Sequence, residues 1–404
     1  MHPDQALTHD ASPLVAPTPA PPSTLGSSAT AASQVTVGEW PTLDDADLAR
    51  VKTAITQSRS PNTRRAYHSD WQRFTGWCAA RGHRALPAHP AVVASYLTDA
   101  ADTLTPDGAH AYAPTTIARW VSAIAYHHRI TDQPSPATTE TVSATLSGIK
   151  RAYAASGARP PNRAAPLLTA DITAIVDAAR AGVTGWSSDV LERRDTALLL
   201  AGYTGAFRRG DLVDLICGDI TVHPADGIHV RVRRSKTDQE GRGSVRALPF
   251  TDNHQHCPPC AVLRWMQVVA AHDTGGRPAI IRIIKNADRF DHHICHGPSP
   301  RTAARAPLFR AIRKNGNLSD TPLSGASVHA TVRRRAAGAG YDPARVAAYG
   351  GHSMRAGFVT QAFRNGADAH AIIRQTGHSG PGILEVYARE NAPLIGNAVT
   401  GLGL

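Results

Sequence analysis

The sequence predicts a mainly α-helical protein with one small β-sheet, in which a helical domain precedes a larger α+β domain. Apolar residues recur at helical spacings of three and four through much of residues 44–157. Residues 228–233 instead alternate apolar and polar side chains, the period of two that is typical of a β-strand. Residues 158–166, rich in proline and arginine, lie between the two patterns and are expected to be a linker.

The first 43 residues are rich in Ala, Pro, Ser and Thr and show no hydrophobic periodicity. Such a segment cannot bury enough apolar surface to offset the entropy lost on ordering, so we expect it to be disordered. Helical periodicity begins near Asp44, ahead of Leu48, Val51 and Ile55.

The helical domain, residues 44–157, is expected to contain a strongly amphipathic helix over residues 61–82, with Asn62 or Thr63 as its N-cap. Its apolar stripe has the helical spacing of three and four, and it consists of Tyr67, Trp71, Phe74 and Trp77. Further helices are expected over residues 90–100, 115–128 and 140–155.

The second domain, residues 167–404, is expected to begin with a helix capped by Thr169 or Asp171, followed by a buried helix at 191–203. The strand at 228–233 is expected to pair with a return strand near 245–248, because two glycines mark a turn between them. From residue 326 onward the pattern is helical again.

The chain is basic, with a formal net charge of +11. The first fifty residues hold six acidic residues and one arginine, which leaves 42 basic and 26 acidic residues, a net +16, for residues 51–404. A folded body this basic favours a polyanionic partner, of which nucleic acid is the commonest. Charge alone leaves open a basic protein with no such partner.

The five cysteines are an odd number in a long chain, so we expect no disulfide framework and a reducing cytosol. No apolar run approaches the roughly 18 residues of a membrane span. The N-terminus lacks the pattern of a signal peptide. We therefore expect a cytoplasmic protein with no membrane partner.

Four segments contain residue types that suit phosphate chemistry. In the first, Arg208 and Asp211 lie three residues apart near the start of a helix, where a carboxylate can orient a guanidinium. Taken singly, each segment also fits an ordinary structural role without function, such as a surface ion pair or a tyrosine packed in the core. The other candidates are Lys236 in a hairpin turn, His352 and Arg355 at a helix start, and His378 with Tyr387 nine residues later.

Together these residues follow the order Arg, Lys, His, Arg, His, Tyr within one basic domain. The pattern resembles that of the tyrosine recombinases, the phage-integrase family, over roughly residues 58–390. The resemblance implies an N-terminal four-helix, SAM-like core-binding domain and a C-terminal catalytic domain. It implies a site-specific integrase that cleaves and rejoins DNA through a covalent 3′-phosphotyrosine intermediate, with no metal, other cofactor or ATP.

The resemblance implies that Arg208 and Arg355 hold the non-bridging oxygens of the scissile phosphate while Tyr387 attacks it. Two guanidiniums would supply fixed positive charge where the transition state gains negative charge. In the family an arginine usually follows the threonine by three residues; here the interval is four, and Arg209 competes with Arg208. Arg208 is preferred because it keeps the spacing of three to Asp211.

The resemblance implies supporting roles for four further residues. Lys236 would protonate the departing 5′-oxygen, and His352 would assist proton transfer at the tyrosine. His378 would donate a hydrogen bond to the phosphate, and Asp211, where glutamate is more usual, would support the first arginine.

The expected partner is double-stranded DNA with an inverted-repeat core site, bound by a homotetramer that is a monomer or dimer when free; the protein would then associate with the nucleoid. The tail after Tyr387 is expected to dock on a neighbouring subunit, although packing on its own domain remains the alternative. The arginines expected to contact DNA are Arg64, Arg65, Arg231, Arg233 and Arg234.

Two clusters of histidine and cysteine resemble zinc ligands. The Cys257–Cys260 pair contains two prolines and has no matching second pair, and the other cluster lies in a loop, so neither is expected to bind metal. The clusters are His254, His256, Cys257 and Cys260, and His292, His293, Cys295 and His296.

Two alternatives to a recombinase fit parts of the pattern. A non-catalytic DNA-binding regulator would use the same basic surface, but it would not need the complete catalytic set. A topoisomerase-like enzyme would use the same chemistry on one duplex, although the small helical domain suits a recombinase better.

Overall fold

The structure is a computed structural model, which describes residues 44–157, 164–235, 243–286 and 291–382, and the single residues 238, 241, 384, 385, 387 and 393. The expected disordered segment 1–43, linker residues 158–163, Lys236 and nearly all of the C-terminal tail lie outside the described residues. Contacts divide the chain into two compact units between residues 158 and 159. None of the described helices has the length and apolar character needed to cross a bilayer.

The first unit is helical. Its core is built around two aromatic side chains, Phe74 and Trp120, which are buried together with apolar residues of the neighbouring helices. Its helices are α1 (Asp45–Gln57), α2 (Pro61–Ala80), α3 (Pro90–Asp102), α4 (Pro114–Ile130) and α5 (Glu140–Ala155).

The expected N-cap of α2 is wrong, because Ser60 holds that position. The Ser60 side chain accepts a hydrogen bond from the Thr63 amide at 3.2 Å, and Pro61 opens the helix. Proline suits that position because its fixed φ matches the helix and its missing N–H would be unpaired there in any case. The amphipathic stripe of α2 is confirmed, since Phe74 is fully buried and Trp71 and Trp77 pack against the same core.

The second unit contains the strands. Its elements are α6 (Thr169–Ala181), α7 (Trp186–Thr204), α8 (Arg209–Val213), β1 (Ile220–His223), β2 (Gly227–Val232), β3 (Ser244–Pro249), α9 (Pro258–Asn286), β4 (Arg310–Ile312), β5 (Leu318–Pro322), α10 (Gly325–Gly338), α11 (Pro343–Ala348), α12 (Ser353–Arg364) and α13 (Ala369–Thr376). The mostly helical composition with small sheets agrees with the predicted fold class.

Strands β1, β2 and β3 form an antiparallel sheet in that order. The predicted pairing of β2 with β3 is confirmed, and the register sets Ile228 opposite Leu248 and Val230 opposite Arg246. Along β3, Val245 is exposed while Arg246 and Leu248 are buried. The register therefore turns the side chain of an arginine toward the interior.

Helix α7 is buried on nearly all sides and carries charged residues into the core. Asp195, with no exposed surface, accepts hydrogen bonds from Arg194, Arg334 and Arg335 at 2.6 to 2.9 Å. Three guanidiniums thereby offset the desolvation cost of burying one carboxylate. Because two of them belong to α10, these hydrogen bonds hold α7 against α10.

The predicted cap of α6 is also wrong, because Leu168 is its N-cap residue. The Asp171 side chain nevertheless accepts a hydrogen bond from the Leu168 amide at 2.9 Å, so this residue stabilises the helix start from within the first turn.

Candidate active site

Arg208 is the N-cap residue of α8, and its guanidinium lies 3.7 Å from the Asp211 carboxylate one turn later. Both side chains are mostly buried. Arg209 is exposed instead, and its aliphatic part lies beside Gly351 and Gly325. Of the two adjacent arginines, Arg208 is the one whose guanidinium faces the buried Asp211 carboxylate.

Arg355, in the first turn of α12, is buried with 3% of its surface exposed. Its Nη1 donates hydrogen bonds of 2.7 Å to the carbonyl oxygens of Ala206 and Thr376. These contacts leave Nη2 buried, with no hydrogen-bond acceptor among the described residues. Nη1 of Arg208 is likewise buried with no hydrogen-bond acceptor among the described residues.

Arg246 on β3 joins these two arginines, and the sequence analysis missed it. Its Nη2 donates to the Thr376 carbonyl at 2.9 Å, and its Nη1 donates to the carbonyls of Gln375 and Arg374. Its side chain is 2% exposed. The signal in the sequence was the alternation along β3, which puts Arg246 on the same face as Leu248.

The C-terminus of α13 organises the site. Gln375 donates hydrogen bonds of 2.8 Å to the carbonyls of Thr204 on α7 and Ala247 on β3. Gly377 then ends the helix with a φ of 62°, in the left-handed region that favours glycine. A β-carbon at Gly377 would lie 2.5 Å from Arg246 Nη2, so glycine is also required by the close packing of that guanidinium.

His378 follows this glycine, and its Nδ1 lies 2.7 Å from the hydroxyl oxygen of Thr376. The ring of Tyr387 lies 6.3 Å from the His378 ring, centroid to centroid. Tyr387 is helical and half-buried, and it packs beside a small apolar cluster of Val359, Ile372 and Leu384. The phenol is therefore not sealed in a core.

Three mostly buried guanidiniums, those of Arg208, Arg246 and Arg355, concentrate positive charge in the site. Burial lowers the pKa of Arg355 to about 9, and repulsion by Arg208 and Arg246 acts in the same direction. Burial also lowers the pKa of Arg246 to about 10. Both guanidiniums remain charged at neutral pH, so the site attracts an anion.

Asp211 and His378 respond to this charge in different ways. Burial raises the pKa of Asp211, and three nearby guanidiniums act against that rise. Burial lowers the pKa of His378 to about 3, and the same guanidiniums disfavour its protonated form. His378 is therefore a neutral imidazole at pH 7.

The remaining predicted site residues are less closely tied to this cluster. His352 is exposed at the N-cap of α12, three residues before buried Arg355. Lys236 lies outside the described residues, although the backbones of Ser235 and Asp238 exchange two hydrogen bonds of 3.1 Å.

The arginines predicted to contact DNA differ in their surroundings. On and after β2, Arg231, Arg233 and Arg234 are all exposed, and Arg233 also pairs with Asp219 at 3.1 Å. On α2, Arg65 is exposed and pairs with the side chain of Asn62, whereas Arg64 is half-buried.

A cluster of buried arginines near a tyrosine, on a mainly helical unit with small sheets, is similar to the arrangement of the tyrosine recombinases. The chain is 28% identical over 354 residues to an integrase/recombinase XerD homolog of Selenomonas ruminantium, which covers 87% of this chain and 88% of the relative. It is 28% identical over 195 residues to the tyrosine recombinase XerD of Xanthomonas axonopodis pv. citri (strain 306), or 48% of this chain and 50% of that relative.

Among solved structures, the chain is similar to the XerH site-specific recombinase bound to its palindromic difH substrate in a post-cleavage complex. The TM-score is 0.45 at 13% identity, and the match covers 81% of this chain and 76% of that one. No family model matches the chain.

Proposed function

We propose that the protein is a site-specific DNA recombinase in which Tyr387 attacks a backbone phosphate and forms a 3′-phosphotyrosine intermediate. The observation that carries this proposal is the convergence of Arg208, Arg355 and His378 beside Tyr387, with buried guanidinium N–H groups that lack an acceptor among the described residues. The relatives with integrase and recombinase names support the same activity.

The guanidiniums of Arg208 and Arg355 would bind the non-bridging oxygens of the scissile phosphate. A buried donor without an acceptor costs about 1–3 kcal/mol, and a phosphate oxygen would remove that cost. The positions of both side chains are fixed before substrate arrives, by Asp211 for one and by two carbonyls for the other. Such fixed charge stabilises the extra negative charge of the phosphorane transition state.

Neutral His378 would act as a hydrogen-bond donor rather than as an acid. If the Thr376 hydroxyl donates to Nδ1, the proton of the imidazole lies on Nε2, where it can bind a phosphate oxygen. Proton transfer would then fall to two other residues, His352 at the tyrosine and Lys236 at the departing 5′-oxygen. Asp211 would hold the three guanidiniums together by partly neutralising them.

DNA would be bound by both units. The helical unit, residues 44–157, would serve as the core-binding domain with Arg64 and Arg65 on phosphates, and the catalytic unit would use Arg231, Arg233 and Arg234. The net charge of +16 over residues 51–404 supports a polyanionic partner. The similar XerH structure contains a palindromic substrate, and we propose likewise an inverted-repeat core site and a homotetramer on DNA.

Covalent capture of genomic DNA tests the nucleophile and the target together. The full-length protein is incubated with sheared DNA of its host, adducts that survive boiling in SDS are collected, and the attached ends are sequenced. We expect one family of inverted repeats, free 5′-hydroxyl ends, and no adduct with Tyr387→Phe. Tyr67→Phe, which changes a half-buried tyrosine of α2, is the matched control.

Other outcomes of this capture would contradict the proposal. Adducts that persist in Tyr387→Phe would exclude this nucleophile. Adducts at unrelated sequences would indicate a topoisomerase-like enzyme. Sequence-specific gel shifts without any adduct would indicate a DNA-binding regulator.

The role of Lys236 can be separated from that of the tyrosine. A substrate with sulfur in place of the 5′-bridging oxygen has a leaving group that needs no proton. We expect Lys236→Ala to cleave this substrate at close to the wild-type rate while failing on ordinary DNA. Equal loss on both substrates would show that Lys236 does not protonate the leaving group.

A further inference from the structure

Four potential metal ligands from two distant segments meet in the second unit. Cys257 immediately precedes α9 and Cys260 lies in its first turn, whereas His293 and Cys295 lie in the loop that follows that helix. The four ligand atoms all lie within 4.8 Å of one another. The sequence has no second Cys-x-x-Cys pair, but the fold brings two residues of the other cluster to Cys257 and Cys260.

We propose that Cys257, Cys260, His293 and Cys295 bind a structural zinc ion. The set of three thiolates and one imidazole is one of the usual ligand sets of structural zinc sites. Four protein ligands complete a tetrahedron and leave no position for a substrate, so the site would stabilise the fold. This inference does not rest on the proposed recombinase activity.

The distances between the ligand atoms fit a tetrahedron around zinc. With Zn–S near 2.3 Å and Zn–N near 2.0–2.1 Å, neighbouring sulfurs should be about 3.8 Å apart, and sulfur and nitrogen about 3.6 Å apart. The structure has 4.0 Å between the sulfurs of Cys257 and Cys295. His293 Nδ1 lies 3.4 Å from the Cys260 sulfur and 3.7 Å from the Cys295 sulfur.

The orientation of His293 is an independent observation in favour of a metal. Its Nε2 lies 3.2 Å from the carbonyl oxygen of Asp252, which can only accept a hydrogen bond. In the tautomer that donates from Nε2 to this carbonyl, Nδ1 carries a lone pair and faces the sulfurs of Cys260 and Cys295. Zinc-binding histidines almost always donate their other ring N–H to a carboxylate, a backbone carbonyl or water, and a backbone carbonyl occupies that place here.

The surroundings fit a closed structural site. All three cysteines are buried, with 3% or less of their surface exposed, and belong to the main apolar core of the unit. His254 and His296 are not among the four clustered ligands, and their rings pack beside that of His293. A zinc ion here would tie the loop near residue 293 to the start of α9, which follows β3 and Arg246 by a short turn.

Metal content and a cobalt spectrum test the proposal on the intact protein. The full chain is purified without added metal, dialysed, and measured by elemental analysis for zinc. We expect one zinc per chain. Replacement of zinc by Co²⁺ should give the visible bands of a tetrahedral site and the near-ultraviolet charge-transfer band of thiolate ligands.

Variants identify the ligands. Cys295→Ser and His293→Ala should lose the stoichiometric zinc and lower the melting temperature, and a chelator should lower that of the wild type but not theirs. The matched controls are Cys217→Ala, a buried cysteine outside the cluster, and His292→Ala, the exposed neighbour of His293. Both should keep one zinc.

The measurements on wild-type protein show whether zinc is bound, even where a variant fails to fold. Wild-type protein without zinc and without a tetrahedral cobalt spectrum would overturn the proposal. A mass lower by two hydrogens, marking a disulfide between two of these cysteines in protein kept under reducing conditions, would also overturn it.

Discussion

Arg246 and Arg355 donate hydrogen bonds to the same carbonyl oxygen, that of Thr376, at 2.9 and 2.7 Å. The carbonyl groups at a helix C-terminus lack partners within the helix and carry partial negative charge. Here two guanidiniums from other elements supply those partners. The end of α13, and therefore His378 two residues later, is held in place by the same arginines that make the site positive.

We expect Arg246→Gln to impair the site although it leaves Arg208 and Arg355, the proposed phosphate ligands, in place. Loss of hydrogen bonds from a charged group should cost about 2–3 kcal/mol of stability. Loss of the nearby positive charge should raise the pKa of His378, which NMR titration of its imidazole would measure. Arg246→Lys keeps the charge and should leave that pKa low. An unchanged pKa of His378 in Arg246→Gln would show that the charge of Arg246 does not act on this imidazole.

Gly377→Ala tests the close packing beneath Arg246. Alanine in the left-handed region costs about 1–2 kcal/mol, and here its β-carbon would also push against the guanidinium. Gly366→Ala is the matched control, because it has a φ of 79° but nothing within 4 Å of its β-carbon. We expect both to lower the free energy of unfolding, and only Gly377→Ala to reduce DNA cleavage strongly. Equal cleavage by the two variants would contradict this.

Local patterns in the sequence predicted the elements well. The period of two in β2 and the aromatic stripe of α2 each depend on neighbours a few residues away, and both are confirmed. The helix caps were missed because Ser60 and Leu168 depend on the backbone conformation at the helix start rather than on the first polar residue of the pattern.

Features that depend on distant contacts were not predictable in this way. The sequence alone does not single out Arg246, because a charged residue on a strand usually faces solvent. The pairing of β2 with β3 and the burial of Arg246 show that it faces inward. Likewise, Cys257 and His293 are separated by the whole of α9, and their meeting follows only from the return of the chain after that helix.

The cleavage rates of variants at Arg208 and Arg209 can be compared directly, because the two residues are adjacent but only Arg208 faces Asp211. We expect Arg208→Ala to reduce the rate of covalent adduct formation by about 10²–10³, the loss typical of one donor to a developing negative charge. Arg209→Ala, which removes an exposed side chain, should cleave at about the wild-type rate. The reverse order of the two rates, measured on the same captured DNA site, would reassign the clamp to Arg209.

The low pKa of His378 predicts a particular loss of stability in acid. Its folded pKa of about 3 lies below the ordinary value of 6.5, so the folded state favours the neutral ring. Its contribution to stability is therefore fully present above about pH 6.5 and is lost as the pH falls toward 3. Melting temperatures measured from pH 7 to pH 4 should fall less steeply for His378→Gln than for the wild type.

The matched control for this titration is His370→Gln, an exposed histidine of α13. This variant should follow the wild-type curve, because the side chain that it removes is exposed and is not among the groups that act on His378. Phosphate or sulfate ions bound between the guanidiniums would screen their repulsion and should make the wild-type curve shallower. Identical slopes for His378→Gln and the wild type in a weakly binding buffer would show that His378 titrates normally, and hence that the guanidiniums do not surround it.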